Sequence, residues 1–120
     1  MISTGVDIVS IDRISKSLKN PRFLNHVYGE GEISLYHARG ANPSFLAGNF
    51  AAKEAFSKAL STGVRGFSLC EVEVLRGVQG SPFFALSGKA KQIAEETGYS
   101  FSLSISHEKE YAIAFVVAYK

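Results

Sequence analysis

Phe45–Leu60, FLAGNFAAKEAFSKAL, carries only three charges, Lys53, Glu54 and Lys58. At about 100° per residue, Phe45, Gly48, Ala52, Ala55, Phe56 and Ala59 fall on one apolar side, and Leu46 and Phe50 extend apolar character towards the opposite one. The spacing therefore predicts a central helix packed on most of its girth, not a surface helix with one solvated face. Asn42 is placed to cap it, Pro43 suits the first helical position, and Gly63 follows Ser61-Thr62, so the predicted helix spans 43 to 61. Glu54 and Lys58 lie four residues apart on one face. They make either an intrahelical ion pair worth about 0.3–0.5 kcal/mol or a functional pair, since a buried carboxylate is costly unless paired or bound to a metal.

Towards the N-terminus, residues 2 to 9 read as a strand rich in β-branched side chains, with Gly5 allowing close backbone approach. Asp7 interrupts that strand and is either solvent-facing or functional. Asp12 is placed to cap a short helix over 13 to 19, in which Arg13, Lys16 and Lys19 fall within one sector, with Arg22 following Asn20-Pro21. Such a basic cluster is a solvated face or a surface that steers acidic partners. Residues 22 to 28 and 30 to 39 read as two further short helices. His26 and His37 have no ligand-type neighbours in sequence and read as ordinary surface or half-buried side chains.

Towards the C-terminus, Gly63-Val64-Arg65-Gly66 reads as a tight loop, a plain turn by default, whose amides could also face a phosphate. Residues 71 to 76 alternate as a strand, 77 to 81 turn, and 82 to 86 form another strand. Ser87 is placed to cap a helix that runs to Thr97 and stops at Gly98. The last 20 residues read as a hairpin of strands 99 to 106 and 111 to 119 with a turn at 107 to 110. Strands at both ends with helices between predict an α+β fold, a mainly antiparallel sheet around the long central helix, in a single domain over 1–120.

The 120 residues are 46% hydrophobic and 20% charged, a globular composition able to build a core. A net charge of +2 without any basic run gives no nucleic-acid signature. The charge is uneven: residues 1 to 70 carry eight Lys and Arg against five Asp and Glu, whereas residues 71 to 120 carry five against six. Acidic partners should therefore meet the first half. The lone Cys70 excludes an internal disulfide and any multi-cysteine metal site, and reads as a small buried side chain. No signal-peptide pattern opens the chain, and no apolar run approaches the ~18 residues of a membrane helix. The expectation is a soluble, cytoplasmic protein with neither nucleic acid nor membrane as partner.

Asp7, Glu54 and His107 stand on three different predicted elements. Two carboxylates are few for Ca²⁺ but suit Mg²⁺, which keeps several waters and is commonly held by one or two carboxylates plus substrate phosphates. Lys58, one turn beyond Glu54, could meet a phosphate oxygen that the metal leaves exposed. If the three elements converge, the constellation is one for phosphoryl-group chemistry.

Gly5-Val6-Asp7-Ile8, Phe50-Ala51-Ala52-Lys53-Glu54-Ala55-Phe56-Ser57-Lys58 and Ser104-Ile105-Ser106-His107-Glu108-Lys109-Glu110-Tyr111-Ala112 occur in that order over nearly the whole chain. Together with Gly80-Ser81-Pro82, and Arg13 at its distance after Asp7, they resemble the three motifs of the holo-(acyl carrier protein) synthases, a 4′-phosphopantetheinyl transferase family. The resemblance implies transfer of the phosphopantetheine arm from coenzyme A to a serine of acyl carrier protein, a step that supports fatty acid biosynthesis. By the same resemblance Asp7 and Glu54 bind Mg²⁺, Lys58 offsets phosphate charge and His107 lies against the 3′-phosphoadenosine end. The resemblance also implies that Ser57 and Gly63 touch the phosphates. With an acidic carrier as partner, Arg13, Lys16 and Arg22 are the expected docking surface, and the resemblance implies a homotrimer with coenzyme sites between subunits.

One position departs from the pattern. The family often has Arg where this chain has Asn49, which either weakens phosphate or carrier contact or is made good by a nearby residue such as Arg65. Two other activities would use parts of the same constellation. One is a metal-dependent phosphohydrolase, and the other is a non-catalytic module that binds carrier proteins.

Overall fold

In the computed structural model, which describes residues 1–61 and 66–120, the central helix is set by its two ends and its small side chains. Numbered in chain order, the elements are β1 (Ile2–Ser10), α1 (Ile11–Ser17), α2 (Phe23–Val27), α3 (Glu30–Ala38), α4 (Pro43–Ala59), β2 (Val72–Arg76), β3 (Pro82–Leu86), α5 (Gly88–Thr97), β4 (Ser100–His107) and β5 (Tyr111–Tyr119), with a 3₁₀ turn at Leu69–Glu71. At the start of α4 the Asn42 Oδ1 accepts from the Ser44 backbone N–H at 3.0 Å and from the Ser44 hydroxyl at 2.9 Å, and Pro43 occupies the first turn, as the sequence predicts. Gly63 and Arg65 lie outside the described residues.

Two antiparallel sheets flank α4 among the described residues, one ordered β1-β5-β4 and one pairing β2 with β3. The predicted antiparallel strands are thus split between two sheets, because among the described residues β2 and β3 pair only with each other. On the first sheet Gly5 and Val9 of β1 and Ala112, Ala114, Val116 and Ala118 of β5 are buried beneath α4. Small residues let the helix axis come close. At Gly5 contact is so tight that a Cβ would collide with the Ala55 carbonyl oxygen and stand 2.8 Å from the Ala59 nitrogen. Nearby the Ser3 hydroxyl donates to the Ala59 carbonyl at 2.6 Å, tying β1 to the last turn of α4.

The other flank of α4 is built from rings. Phe56 meets Phe101 at 4.9 Å, Phe84 at 5.1 Å and Phe67 at 5.9 Å between centroids, so one helix residue joins both sheets and the segment after α4. Truncating such a ring to alanine costs about 3–5 kcal/mol. The face of the β1-β5-β4 sheet away from α4 is different. There Ile2, Val6, Ile8, Tyr111, Ile113, Phe115 and Tyr119 are 41 to 74% exposed, and the serines of β4 alternate outward beside them.

Several local expectations are corrected. Ser10, not Asp12, caps the first helix: its Oγ accepts from the Arg13 N–H at 3.3 Å, because β1 passes directly into α1 two residues earlier than the pattern suggests. Asp12 instead pairs with Lys16 at 3.0 Å on the exposed side. Ser87 occupies the N-cap position of α5 without a side-chain cap bond, and the Glu71 carboxylate accepts from the Ala90 N–H there at 3.3 Å. His107 is the last residue of β4, paired with Ala112, instead of lying in the turn. Cys70 is half-buried. Among the described residues no helix is long and apolar enough to cross a membrane.

Candidate functional site

Asp7 lies on the α4-facing side of β1, in register with Ala114 of β5. The close approach at Gly5 brings that part of β1 within reach of the last turns of α4, and Lys58 closes the gap. Its Nζ donates to the Val6 carbonyl at 3.0 Å and stands 3.2 Å from the Asp7 Oδ1. The ion pair considered for Glu54 and Lys58 is therefore made by Lys58 with Asp7. Lys58 remains 56% exposed and Asp7 20%, so the contact is worth at most about 1 kcal/mol in water.

Glu54, one turn before Lys58, is half-buried. Burial raises its carboxyl pKa first and the negative charge of Asp7 raises it further, while Lys58 and Arg13 pull the other way. Asp7, Glu54, Lys58 and Arg13 therefore share one electrostatic neighbourhood. Among the described residues no group of three or more His, Cys, Asp and Glu could form a protein cage for a metal. The donor set here is two carboxylates close enough to repel. That set fits a hard cation completing its shell with water and phosphate oxygens, and fits Zn²⁺ or Ca²⁺ poorly.

The remaining sequence-predicted residues are distributed as follows. Ser57 is buried, and its hydroxyl donates back to the Lys53 carbonyl at 3.2 Å, turned onto the helix and not outward. Arg13 and Lys16 line a shallow hollow on α1, with Arg22 exposed just ahead of α2. His107 does not join Asp7 within the chain. The two stand on the outer strands of the sheet, two residues out of register, which puts their Cα atoms about 12 Å apart. His107 instead lines a cavity of about 360 Å³ with Arg39, Asn42, Phe45, Arg76 and Pro82.

Sequence reading missed a buried polar network on the opposite side of α4. Lys53 and Glu32 are both fully buried, 2.7 Å apart. The Lys53 ammonium also donates to the carbonyls of Leu69 at 2.9 Å and Val72 at 2.7 Å, using all three protons. Glu32 further accepts from the Asn49 amide at 2.9 Å and from the Gly29 N–H at 3.0 Å. Burial raises the Glu32 pKa and lowers that of Lys53, and their mutual contact opposes both shifts. Asn49 also donates to the Val74 carbonyl at 3.0 Å, and its Oδ1 accepts from Arg76 Nη2 at 2.9 Å. The network clamps α3 and β2 to α4 one residue before Glu54. Its only sequence signal was Lys53, a charge on a helix packed all round.

The structure defines an α+β fold in which a central helix presents Glu54 and Lys58 beside Asp7 at the edge of an antiparallel sheet, with a separate cavity lined by Arg39, Arg76 and His107. The chain belongs to the 4′-phosphopantetheinyl transferase superfamily, whose sequence model matches residues 3–116. It is 44% identical over 119 residues to the holo-[acyl-carrier-protein] synthase of Clostridium novyi, covering 98% of this chain and 86% of that one. The crystal structure of the Neisseria meningitidis holo-[acyl-carrier-protein] synthase matches with a TM-score of 0.93 at 38% identity over 100% of both chains. The Helicobacter pylori holo-[acyl-carrier-protein] synthase, solved in complex with coenzyme A, matches with a TM-score of 0.84 at 37% identity, covering 99% of this chain and 100% of that one. The fold and the holo-(acyl carrier protein) synthase resemblance expected from the motifs are both borne out.

Proposed function

We propose that this enzyme moves the 4′-phosphopantetheine group of coenzyme A onto a serine of apo-acyl carrier protein, in a Mg²⁺-dependent reaction that supports fatty acid biosynthesis in the cytoplasm. The observation that carries the reading is the meeting of Asp7, Glu54 and Lys58 at the junction of β1 and α4. The serine oxygen forms a bond to the pantetheine-bearing phosphorus while the bridging P–O bond breaks, releasing adenosine 3′,5′-bisphosphate. Asp7 and Glu54 would hold the metal, which supplies charge neutralisation on the pyrophosphate oxygens when bound. Lys58 adds a second positive charge beside them. The serine proton goes to Glu54, whose proton affinity burial and Asp7 raise, or to a water that Glu54 orients.

Ser57 and Gly63 remain proposed phosphate contacts, Ser57 only if its hydroxyl turns away from the Lys53 carbonyl. The exposed cations Arg13, Lys16 and Arg22 suit an acidic carrier, and the closeness of Arg13 to Glu54, whose pKa it lowers, supports a docking surface near the carboxylates. His107 is proposed to reach the 3′-phosphoadenosine end of a coenzyme held by a neighbouring copy, in a homotrimer of single-domain chains. The separation of His107 from Asp7 and the outward apolar face of β1 and β5 support that arrangement, since monomers seldom leave such a patch in water.

The test is incubation with coenzyme A, Mg²⁺ and apo-carrier, followed by mass spectrometry of the carrier. A gain of one phosphopantetheine, lost on chelation, supports the transferase. Coenzyme hydrolysis without carrier modification would establish a phosphohydrolase, and carrier binding without turnover a non-catalytic module.

A further inference from the structure

We infer that Lys58 is a built-in competitor for the metal: its ammonium holds Asp7 until phosphate oxygens of the coenzyme draw it away, so that cation and coenzyme bind as a coupled pair. The inference rests on the metal and coenzyme reading above and deepens it by stating how the two ligands depend on each other.

Two lysines on α4 are held in opposite ways. Lys53 is fully buried and donates its three protons to Glu32 and to the carbonyls of Leu69 and Val72, so its ammonium is fixed. Lys58 is 56% exposed and, among the described residues, donates to two acceptors, the Val6 carbonyl at 3.0 Å and the Asp7 Oδ1 at 3.2 Å. Its flexible four-carbon stem can leave both by side-chain rotation, with no movement of α4. Among the described residues no other cation lies within ion-pair distance of Asp7.

A divalent cation on Asp7 and Glu54 would meet a unit positive charge already bonded to one of its two carboxylates. Like charges a few Å apart on one carboxylate repel, whichever oxygen each takes. Lys58 on Asp7 and a metal on Asp7 therefore oppose each other. Release of the lysine is easy, because a half-exposed ion pair is weak. The coenzyme pyrophosphate offers the ammonium a charged acceptor beside the same carboxylates. Each ligand thus prepares the site for the other: phosphate oxygens take the ammonium off Asp7, and a cation on Asp7 pushes the ammonium towards the phosphates. By linkage the two affinities rise by the same factor.

The experiment measures binding of Mn²⁺ to the full chain by electron paramagnetic resonance of the free ion, with and without saturating coenzyme A. Without coenzyme, Lys58→Met should bind Mn²⁺ about fivefold more tightly than wild type. With coenzyme the two forms should agree within about twofold, because the wild-type ammonium has then left Asp7. Arg13→Gln removes a nearby charge that acts on Glu54 without pairing with Asp7, and should change Mn²⁺ binding by less than about twofold. Lys58→Gln, which keeps a polar end on the same stem, should rank with Lys58→Met, and thermal unfolding checks that both variants are folded. Equal Mn²⁺ affinity of wild type and both Lys58 variants without coenzyme overturns the inference. So does the same tightening with and without coenzyme, which would mark a general field effect. Absence of Mn²⁺ binding in every form, coenzyme present, overturns the metal reading itself.

Discussion

Replacing Lys53 with Met should cost this protein about 3–5 kcal/mol, because it removes one member of a fully buried ion pair and leaves the other behind. Met keeps most of the aliphatic volume, so the loss of packing is small. What remains is a Glu32 carboxylate at 0% exposure, retaining its bonds from Asn49 and Gly29 but no positive partner at 2.7 Å. The Leu69 and Val72 carbonyls lose a donor as well. A domain whose total stability lies in the usual range of about 5–15 kcal/mol would survive this only narrowly. Urea unfolding followed by circular dichroism measures it. The sign of the pH dependence is fixed by Glu32, whose folded pKa burial raises. With Lys53 gone that shift is larger, the folded state binds more protons than the unfolded one, and stability falls as pH rises. The deficit relative to wild type should thus be smaller near pH 4 than at neutrality. Adding Glu32→Gln to Lys53→Met should recover part of the loss. A single variant within about 1 kcal/mol of wild type, or a double variant less stable than the single one, would refute the account.

Glu54→Gln should abolish carrier modification while matching or slightly exceeding wild-type stability at neutral pH, since the folded state already raises the Glu54 pKa; near-normal turnover would remove Glu54 from the reaction. Gly5→Ala should destabilise by about 2 kcal/mol or more through the clash with the Ala55 carbonyl, read by thermal unfolding, and should impair transfer through displacement of Asp7. Arg13→Glu with Lys16→Glu should raise the KM for carrier with little change in kcat and a flatter salt dependence; an unchanged KM would clear α1 of a docking role. Phe115→Lys, on the outward face of β5, should lower the oligomeric state in sedimentation and with it the activity at dilute enzyme, whereas an unaltered assembly would place the subunit contact elsewhere.

The frame of the fold was legible because its signals are local. Asn42-Pro43 announces the start of α4, and the alternation in 101–105 announces a strand whose odd residues face the helix. Asp7 stood out as a carboxylate on a β-branched strand. What stayed hidden depends on pairing across long separations. Glu32 looks like one more acid in the first turn of a short helix, and nothing in its neighbourhood points 21 residues ahead to Lys53. Arg76 ends an alternating strand, where a charge ordinarily faces solvent, and only the packing of β2 beside α4 turns it towards Asn49. The cap of α1 was misassigned because Ser10 and Asp12 both offer a suitable oxygen, and where β1 ends decides between them. His107 carried a functional signal without a location. Strand register places it away from Asp7, a fact no motif spacing contains.

The register of β1 against β5 also bears on how the enzyme is born. Asp7 pairs with Ala114, a separation of 107 residues, and among the described residues β1 has no other strand beside it. Contacts this distant in sequence form late and slow the approach to the native state. During synthesis α4 can emerge with Glu54 and Lys58 already on one face, yet the strand carrying Asp7 has no ladder to join until β5 has left the ribosome. The juxtaposition of Asp7 with Glu54 and Lys58 therefore forms in a late step, so a ribosome-bound chain lacking β5 exposes the helix without holding the assembled carboxylate pair.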